Sequence, residues 1–407
     1  MTAWICLKRI VSSINSGTAI DKEKIEKNAL YPVYGGGNKI GFCNEYNCGD
    51  AILIGRVGSC GHITLIKEKC WATDNALIIK TKYNLSYIAY ILRCADFSPL
   101  ISQTAMPLLS GGKLKGLVVP FVFDEYRQTQ IVHFLDRKCT AIDTAIEKTK
   151  KSIEKLEEYK KAVITKAVTK GIDQNAKMKD AHFLWLTAIP EKWGIYKLNH
   201  ILDYNHPYPL GDGDHGSIKA DSYVSSGIPF IRVQNLGYAE PINIENVVYI
   251  SEAQNQKIQN STLAPNDILF AKTGATIGKT AIMPQTISRA NTTSHIGKIT
   301  VDTRYYVPKY IFYALSSEIG NHQLWSIANK KATRPEVGLN EVKYIKLCIP
   351  LSVTEQKQIA DFLDKKLNQI NNAISNHATL IRKLEEYKKS LIYYAVAGKI
   401  DCRGEEL

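Results

Sequence analysis

No apolar run in this 407-residue sequence approaches the ~18 residues that a membrane span needs. The first ten residues, Met1 to Ile10, lack the basic-then-apolar pattern of a secretory signal. A cytoplasmic protein with no membrane contact is expected. Nine cysteines are present, but none stands in a CxxC pair. Cys43, Cys48, Cys60 and Cys70, with His62 nearby, therefore lack the spacing typical of a zinc site. Reduced core thiols are the simpler reading, and no metal is expected. Also missing is any Ser/His/Asp set, carboxylate pair or nuclease-type acid and lysine cluster that occurs in both halves of the chain. A catalytic role has little to stand on.

What is present begins with size and charge. A chain of 407 residues is too long for one core and suits two domains with connecting elements. At 45% hydrophobic and 22% charged it has the composition of a folded protein. The net charge is +13, and basic residues exceed acidic ones in each of 1–123, 124–180, 181–353 and 354–407. A basic surface favours a polyanionic partner.

The chain is internally duplicated. Gln130–Asp173 aligns without a gap to Gln358–Asp401 at an offset of 228, and half of the aligned positions are identical. Leu156-Glu-Glu-Tyr-Lys-Lys161 matches Leu384-Glu-Glu-Tyr-Lys-Lys389, and Phe134-Leu-Asp136 matches Phe362-Leu-Asp364. Upstream, Tyr87-Ile-x-Tyr90-x-Leu92 matches Tyr310-Ile-x-Tyr313-x-Leu315. Pro120 and Pro350 stand before the two repeats, and Asp50, Arg56, Gly58 and Gly61 align with Asp267, Lys272, Gly274 and Gly278. Each half is a divergent module joined to a near-constant segment.

The constant segments read as helices. Ile131, Leu135, Ile142, Ile146, Thr149, Ile153, Leu156, Val163 and Ala167 follow a heptad seam, with Lys138 and Lys160 in its gaps. The copy runs through Ile359, Leu363, Ile370, Ile374, His377, Ile381, Leu384, Leu391 and Ala395. No Pro or Gly intervenes before Gly171 and Gly398, so each helix is about 37 residues, roughly 55 Å long. Connectivity makes the pair antiparallel, meeting along Ile142, Ile146, Ile153, Leu156, Ile370, Ile374, Ile381 and Leu384.

The modules alternate short apolar runs with turn residues: Ala51–Ile54, Ile63–Ile66 and Ala76–Ile79, then a helix from Leu85 capped by Asn84. In the second module Pro229–Val233, Val247–Ile250, Asp267–Ala271, Ala281–Met283 and Ile296–Val301 read as strands and Pro308–Leu315 as a helix. The expected fold class is α+β, two globular modules separated by an antiparallel pair of long coiled-coil helices, with a pseudo-two-fold repeat. The expected domains are 1–123 (module one), 124–172 (helix one), 173–190 (a short link), 191–350 (module two), 351–400 (helix two) and 401–407 (tail).

Three strings approach nucleotide or methyltransferase motifs. Gly211-Asp-Gly213-Asp-His-Gly216 spells GxGxxG but lies between no clear strand and helix, and it carries two aspartates. Thr273-Gly-Ala-Thr-Ile-Gly278-Lys279-Thr280 lacks the first P-loop glycine, and Pro284 follows too soon for the required helix. Asn205-His-Pro207-Tyr208 has His206 where an amino-methyltransferase has its first proline. The loops have another use: glycine lets backbone N–H groups approach a phosphate while a neighbouring cation supplies charge. Arg232, Gln234 and Asn235 carry side chains suited to base edges, although an intradomain salt bridge serves equally for Arg232. The expected DNA contacts are Tyr34, Gly36, Asn38, Lys39, Arg56, Lys113 and Lys115 in module one. In module two they are Arg232, Gln234, Asn235, Lys272, Thr273, Lys279, Lys330, Lys331 and Arg334.

Several of these strings together resemble the specificity subunit of type I restriction–modification enzymes. They are Tyr31-Pro-Val-Tyr-Gly-Gly-Gly37, Ile54-Gly-Arg-Val-Gly58, Thr73-Asp-Asn-Ala76, Ile228-Pro-Phe-Ile-Arg-Val-Gln-Asn235, Thr354-Glu-Gln-Lys-Gln-Ile359 and the link running from Lys170-Gly-Ile-Asp173 through Ile189-Pro190 to Trp193 and Leu198. One departure is that the lead before Trp4 is shorter than that before Trp193. The resemblance implies a non-catalytic subunit whose modules each read half of a bipartite double-stranded DNA target. It also implies two DNA adenine methyltransferase subunits as partners, with restriction and translocase subunits joined through them. S-adenosylmethionine, ATP and magnesium would sit on those partners, and this chain would hold no cofactor. The rivals are an enzyme using the near-motifs and a coiled-coil adaptor that never touches DNA.

Overall fold

The structure is a computed structural model that describes residues 2–102, 107–328 and 335–402; Lys330, Lys331 and Arg334 fall outside the described residues. Two compact units emerge, and each draws on both ends of the repeat. Unit one joins the residues up to Ser152 to those from Asn376 on; unit two is Ile153–Ser375.

Among the described residues module one holds three sheets. The largest is antiparallel, in the order Ser13–Ser16, Ala76–Lys80, Ala51–Gly55, Ile63–Ile66. Every residue of Ala51–Gly55 is buried, as expected of a strand covered on both faces. A second sheet orders Lys39–Cys43, Tyr31–Tyr34 and Trp71–Ala72, the last pairing parallel. Thr2–Cys6 pairs with Val118–Val122.

Module two repeats this sheet for sheet. Leu210–Asp212, Ile296–Ile299, Ile268–Ala271 and Thr280–Ile282 form the large sheet. Val248–Ile250, Ile228–Ile231 and Asn291–Thr292 form the second, again with a parallel last pair, and Trp193–Lys197 pairs with Lys346–Pro350. The segment read as a short link instead folds as a hairpin of Met178–Phe183 and Leu186–Pro190.

The registers correct three sequence matches. Thr2 faces Val122 and Trp193 faces Pro350, so Thr2, not Trp4, occupies the place of Trp193, and Val122, not Pro120, that of Pro350. Asp50 likewise corresponds to Asn266 rather than Asp267, one residue before Ala51–Gly55 and two before Ile268–Ala271. Both adopt a left-handed backbone, at φ 48° and 72°, a region that Asn and Asp tolerate better than most residues.

The helices run Glu125–Lys170 and Val353–Val396, 46 and 44 residues or ~69 and ~66 Å. They are longer than the seam predicts because their first turns, capping the modules, carry polar residues. Gly171 (φ 76°) and Gly398 (φ 69°) follow their ends. In unit one Ile142 and Ile146 share a core with Leu391, Ile392 and Ala395, and the Lys388 ammonium lies 2.6 Å from Asp143. In unit two Ile164 and Ala167 share a core with Ile359 and Leu363. Residues near the start of one helix meet residues near the end of the other, so the pair is antiparallel. Of the expected seam, Ile142, Ile146 and Ile370 are buried, while Ile153, Leu156, Ile374, Ile381 and Leu384 are half-buried. Val132, Cys139, Ile164 and Val168 are also buried, because the helices pack on the modules as well as on each other. The apolar stripe is accordingly wider than a pure two-helix seam.

Repeated polar contacts tie the helices to the modules. Tyr90 donates to Asp136 at 2.5 Å and Tyr313 to Asp364 at 2.6 Å, joining the two pairs of repeated motifs seen in the sequence. Gln128 donates to the Val122 carbonyl at 2.7 Å and Gln356 to that of Pro350 at 3.0 Å, each satisfying a buried carbonyl beside the helix start.

Candidate nucleic-acid interface

In both modules two loops draw attention. The first connects the first two strands of the smaller sheet. In module one it is residues 35–38, where the Gly35 N–H donates to the Asn38 carbonyl at 2.9 Å. In module two it is residues 232–247, between Ile231 and Val248. The expected contacts Gly36 and Asn38, flanked by Tyr34 and Lys39, thus lie at the same place in the fold as Arg232, Gln234 and Asn235.

The second loop follows the central strand. The Arg56 N–H donates to the Asn75 carbonyl at 2.9 Å, and the Lys272 N–H donates to that of His295 at 2.8 Å. Gly58 and Gly274 come two residues later with φ 74° and 63°. Gly61 and Gly278 end the loops with φ 83° and 95°. The Gly55 N–H reaches the His62 carbonyl as the Ala271 N–H reaches that of Lys279, both at 2.9 Å. Thr73-Asp-Asn75 is therefore the counterpart of Thr293-Ser-His295, a match that sequence reading missed because only the threonine is shared.

In module one the two loops stack. A Cβ on Gly55 would lie 1.8 Å from the Gly36 carbonyl oxygen, and one on Gly36 would lie 2.6 Å from that of Val57. Only glycine permits that approach. Gly36 and Arg56 are brought together as a result, whereas Tyr34 is partly buried against the cluster of Cys48, Leu53 and Cys70. Lys39 begins the next strand and lies over the Phe42 ring at 4.6 Å. Lys113 and Lys115 are exposed on the short helix Gly111–Lys115, reached through Leu109, whose N–H donates to the Arg56 carbonyl.

Module two departs from expectation at two residues. Asn235 is 1% exposed; its Oδ1 accepts from the Arg232 N–H at 2.9 Å and its Nδ2 donates to the Asn243 carbonyl at 2.9 Å. Both ends of the amide brace the loop, so Asn235 has nothing to offer a base, whereas Gln234 is exposed. Lys272 is 4% exposed with its ammonium against the Asp212 carboxylate, which removes it as a free phosphate contact. The Arg232 guanidinium donates to the Asn246 carbonyl at 3.0 Å and lies over the Tyr223 ring. Thr273 Oγ1 is 3.0 Å from His295 Nδ1, and Lys279 is half-buried at the loop's end.

The near-motifs resolve as loop construction. Asp214 turns its carboxylate onto the N–H groups of Gly216, Ser217 and Ile218 at 3.0–3.1 Å, so the GxGxxG string has already spent the donors a phosphate would need. Burial opposes the charge on Asp214, but these bonds and the Ser217 hydroxyl hold its carboxyl below the usual range. The P-loop-like string leads into the strand Thr280–Ile282, not a helix. Cys48 and Cys70 lie in an apolar cluster with Ala51, Leu53, Ile66 and Ala72. Among the described residues no group of His, Cys, Asp and Glu could hold a metal ion, and no helix is long and apolar enough to cross a membrane.

Known proteins share this arrangement. The family model of the type I restriction modification DNA specificity domain matches residues 5–158 and again 190–380. The chain is 25% identical over 323 residues to the type I restriction enzyme MjaVIII specificity subunit of Methanocaldococcus jannaschii, covering 77% of this chain and 70% of that one. It is 24% identical over 341 residues to the EcoBI specificity subunit of Escherichia coli, covering 77% and 69%. A chain from a solved structure, described as the structural basis of complex assembly and conformational transition of the type I R-M system, has the same fold. Its TM-score is 0.68 at 12% identity, over 98% of each chain. With the family model matched twice, once per module, the chain belongs to the type I restriction–modification DNA specificity family, as a specificity subunit and not a catalytic one.

Proposed function

We propose that the chain reads a bipartite double-stranded DNA target, one module per half-site, with the two helices setting the spacer between the halves. The observation that carries this reading is the recurrence of one loop pair in both modules on a shared frame, with different loop lengths and side chains in each. Two copies of one frame presenting different surfaces suit an asymmetric target. The working contact set is Tyr34, Gly36, Asn38, Lys39, Arg56, Lys113 and Lys115 in module one and Arg232, Gln234, Thr273 and Lys279 in module two. Methyl transfer and DNA translocation belong to partners: two DNA adenine methyltransferase subunits that bring S-adenosylmethionine, and restriction subunits that bring ATP and magnesium.

Lengthening the helices tests the spacer. Seven residues inserted after Lys151 and seven after Thr379 keep the heptad phase, and Ser152 and His377, 3.5 Å apart, show that these points face each other. Each helix grows by about 10.5 Å, which is roughly three base pairs at ~3.4 Å each. The methylated motif in cells carrying the variant with its partners should keep both half-sites and widen the gap. A folded, active variant with the original gap would refute the spacer role.

A further inference from the structure

The two central-strand loops differ in one pair of side chains whose positions are equivalent. Ser16 faces Leu77 across the large sheet of module one as Asp212 faces Gly297 in module two. Gly17 and Gly213 follow, and a Cβ on either would lie within 2.3 Å of a carbonyl oxygen of the smaller sheet, that of Ala72 or Thr292. Opposite Ser16 stands Arg56; opposite Asp212 stands Lys272. Arg56 donates Nη1 to the Ser16 hydroxyl at 3.1 Å, and its buried Nε has no hydrogen-bond partner. No carboxylate pairs with it among the described residues. Lys272 is buried against the Asp212 carboxylate, whose other oxygen lies 3.3 Å from His215 Nε2. A hydroxyl leaves the cation's charge intact, whereas a carboxylate cancels it. Space beside the loop is open in both modules, since a Cβ on Gly58 or Gly274 would meet nothing within 4 Å, so the side-chain pairing alone distinguishes them.

We infer that Ser16 and Arg56 form a DNA-phosphate subsite and that Asp212 and Lys272 are its self-neutralised counterpart, so the cation next to the central strand grips the backbone in module one only. The inference rests on the DNA-reading proposal and adds which copy of the loop carries the electrostatic contact. The guanidinium fork suits a phosphate, and a neutral neighbour holds it in place without competing. In module two a phosphate would have to displace Asp212 or sit beside it as a second anion. The loop there is left to present Thr273 and His295, with Lys279 half-buried at its end.

The test is the salt dependence of binding by the full chain to a random-sequence duplex, measured by fluorescence anisotropy from 50 to 200 mM salt. Each phosphate contact contributes about 0.9 to the log–log slope, which is roughly a 3.5-fold change in affinity over that range. Ser16→Asp, a change at an exposed residue, should flatten the slope by about 0.9. Asp212→Ser should steepen it by a similar amount. In an Arg56→Ala background Ser16→Asp should leave the slope where Arg56→Ala alone puts it. Should Asp212→Ser fail to fold, Ser16→Asp decides the matter alone. A Ser16→Asp protein that binds DNA with the parent's slope overturns the subsite. So does a loss confined to one DNA sequence at constant slope, which would make Arg56 a base reader. A parent chain that binds no duplex even at 50 mM salt would instead bring down the DNA-reading proposal itself.

Discussion

Modules one and two share three sheets, strand for strand, and differ most where strands end. The first hairpin loop is residues 35–38 in one and 232–247 in the other. The cation of the second loop meets a hydroxyl in one and a carboxylate in the other. The frame is fixed by buried contacts that both copies keep: tyrosine to aspartate, glutamine to carbonyl, left-handed glycine at each helix end. The loops carry no such obligation, and that is where recognition can diverge without disturbing the fold. One frame position breaks the pattern. Trp193 is 1% exposed, donates to Glu355 at 2.9 Å and packs on Gly171 and Tyr310. Thr2 holds the same place in module one.

That corner offers the largest contrast. Trp193→Ala empties a buried indole site and should cost about 3–5 kcal/mol, whereas Thr2→Ala should cost less than about 1 kcal/mol because it removes only a small, half-exposed side chain. Denaturant unfolding of the two variants checks this. Equal losses would mean that the corner is held by contacts other than the indole.

The tyrosine–aspartate pairs should behave alike. Tyr90→Phe and Tyr313→Phe each remove a hydrogen bond to a carboxylate, at about 1.5–3 kcal/mol. Burial, reinforced by Asp136 or Asp364, pushes both hydroxyls well above their ordinary value. The folded state therefore keeps protons that the unfolded chain gives up near pH ~10. Their stabilisation is complete below that pH and is lost as pH rises above it. Between pH 8 and 10.5 the parent should lose more stability than either phenylalanine variant. An identical loss in all three would assign alkaline weakness to other groups.

Much of this symmetry was legible in the sequence, and the failures share a cause. The strands at Ala51, Ile63, Ala76, Ile268 and Ile296 were visible because each is an apolar run bounded by turn residues. Ser13–Ser16 and Leu210–Asp212 were not: they are short, and they are strands only because Ala76–Lys80 and Ile296–Ile299 lie beside them. The Arg232, Gln234 and Asn235 trio looked like three base readers because residue types say nothing of direction; the loop turns Asn235 inward and Gln234 outward. Lys272 was matched to Arg56 correctly as a position. Its partner Asp212 is 60 residues away, and no local pattern announces such a pair.

The smallest contrast lies in the helices themselves. Lys160 and Lys388 occupy equivalent repeat positions, and each meets one carboxylate. The Lys160 side chain is 7% exposed and lies 2.9 Å from Glu240, whereas that of Lys388 is 29% exposed and reaches Asp143. Removing the partner of the deeper lysine strands a charge with little water to replace the carboxylate, while the shallower one is rehydrated. Glu240→Gln should therefore cost about 1–2 kcal/mol, because Glu240 itself is half exposed and the full penalty of a buried pair is relieved. Asp143→Asn should cost about 0–1 kcal/mol and become negligible at high salt. Denaturant midpoints at low and high ionic strength separate the two. If both losses vanish together in salt, the Lys160 pair is screened like a surface pair, and the difference in burial between the repeats has no energetic consequence.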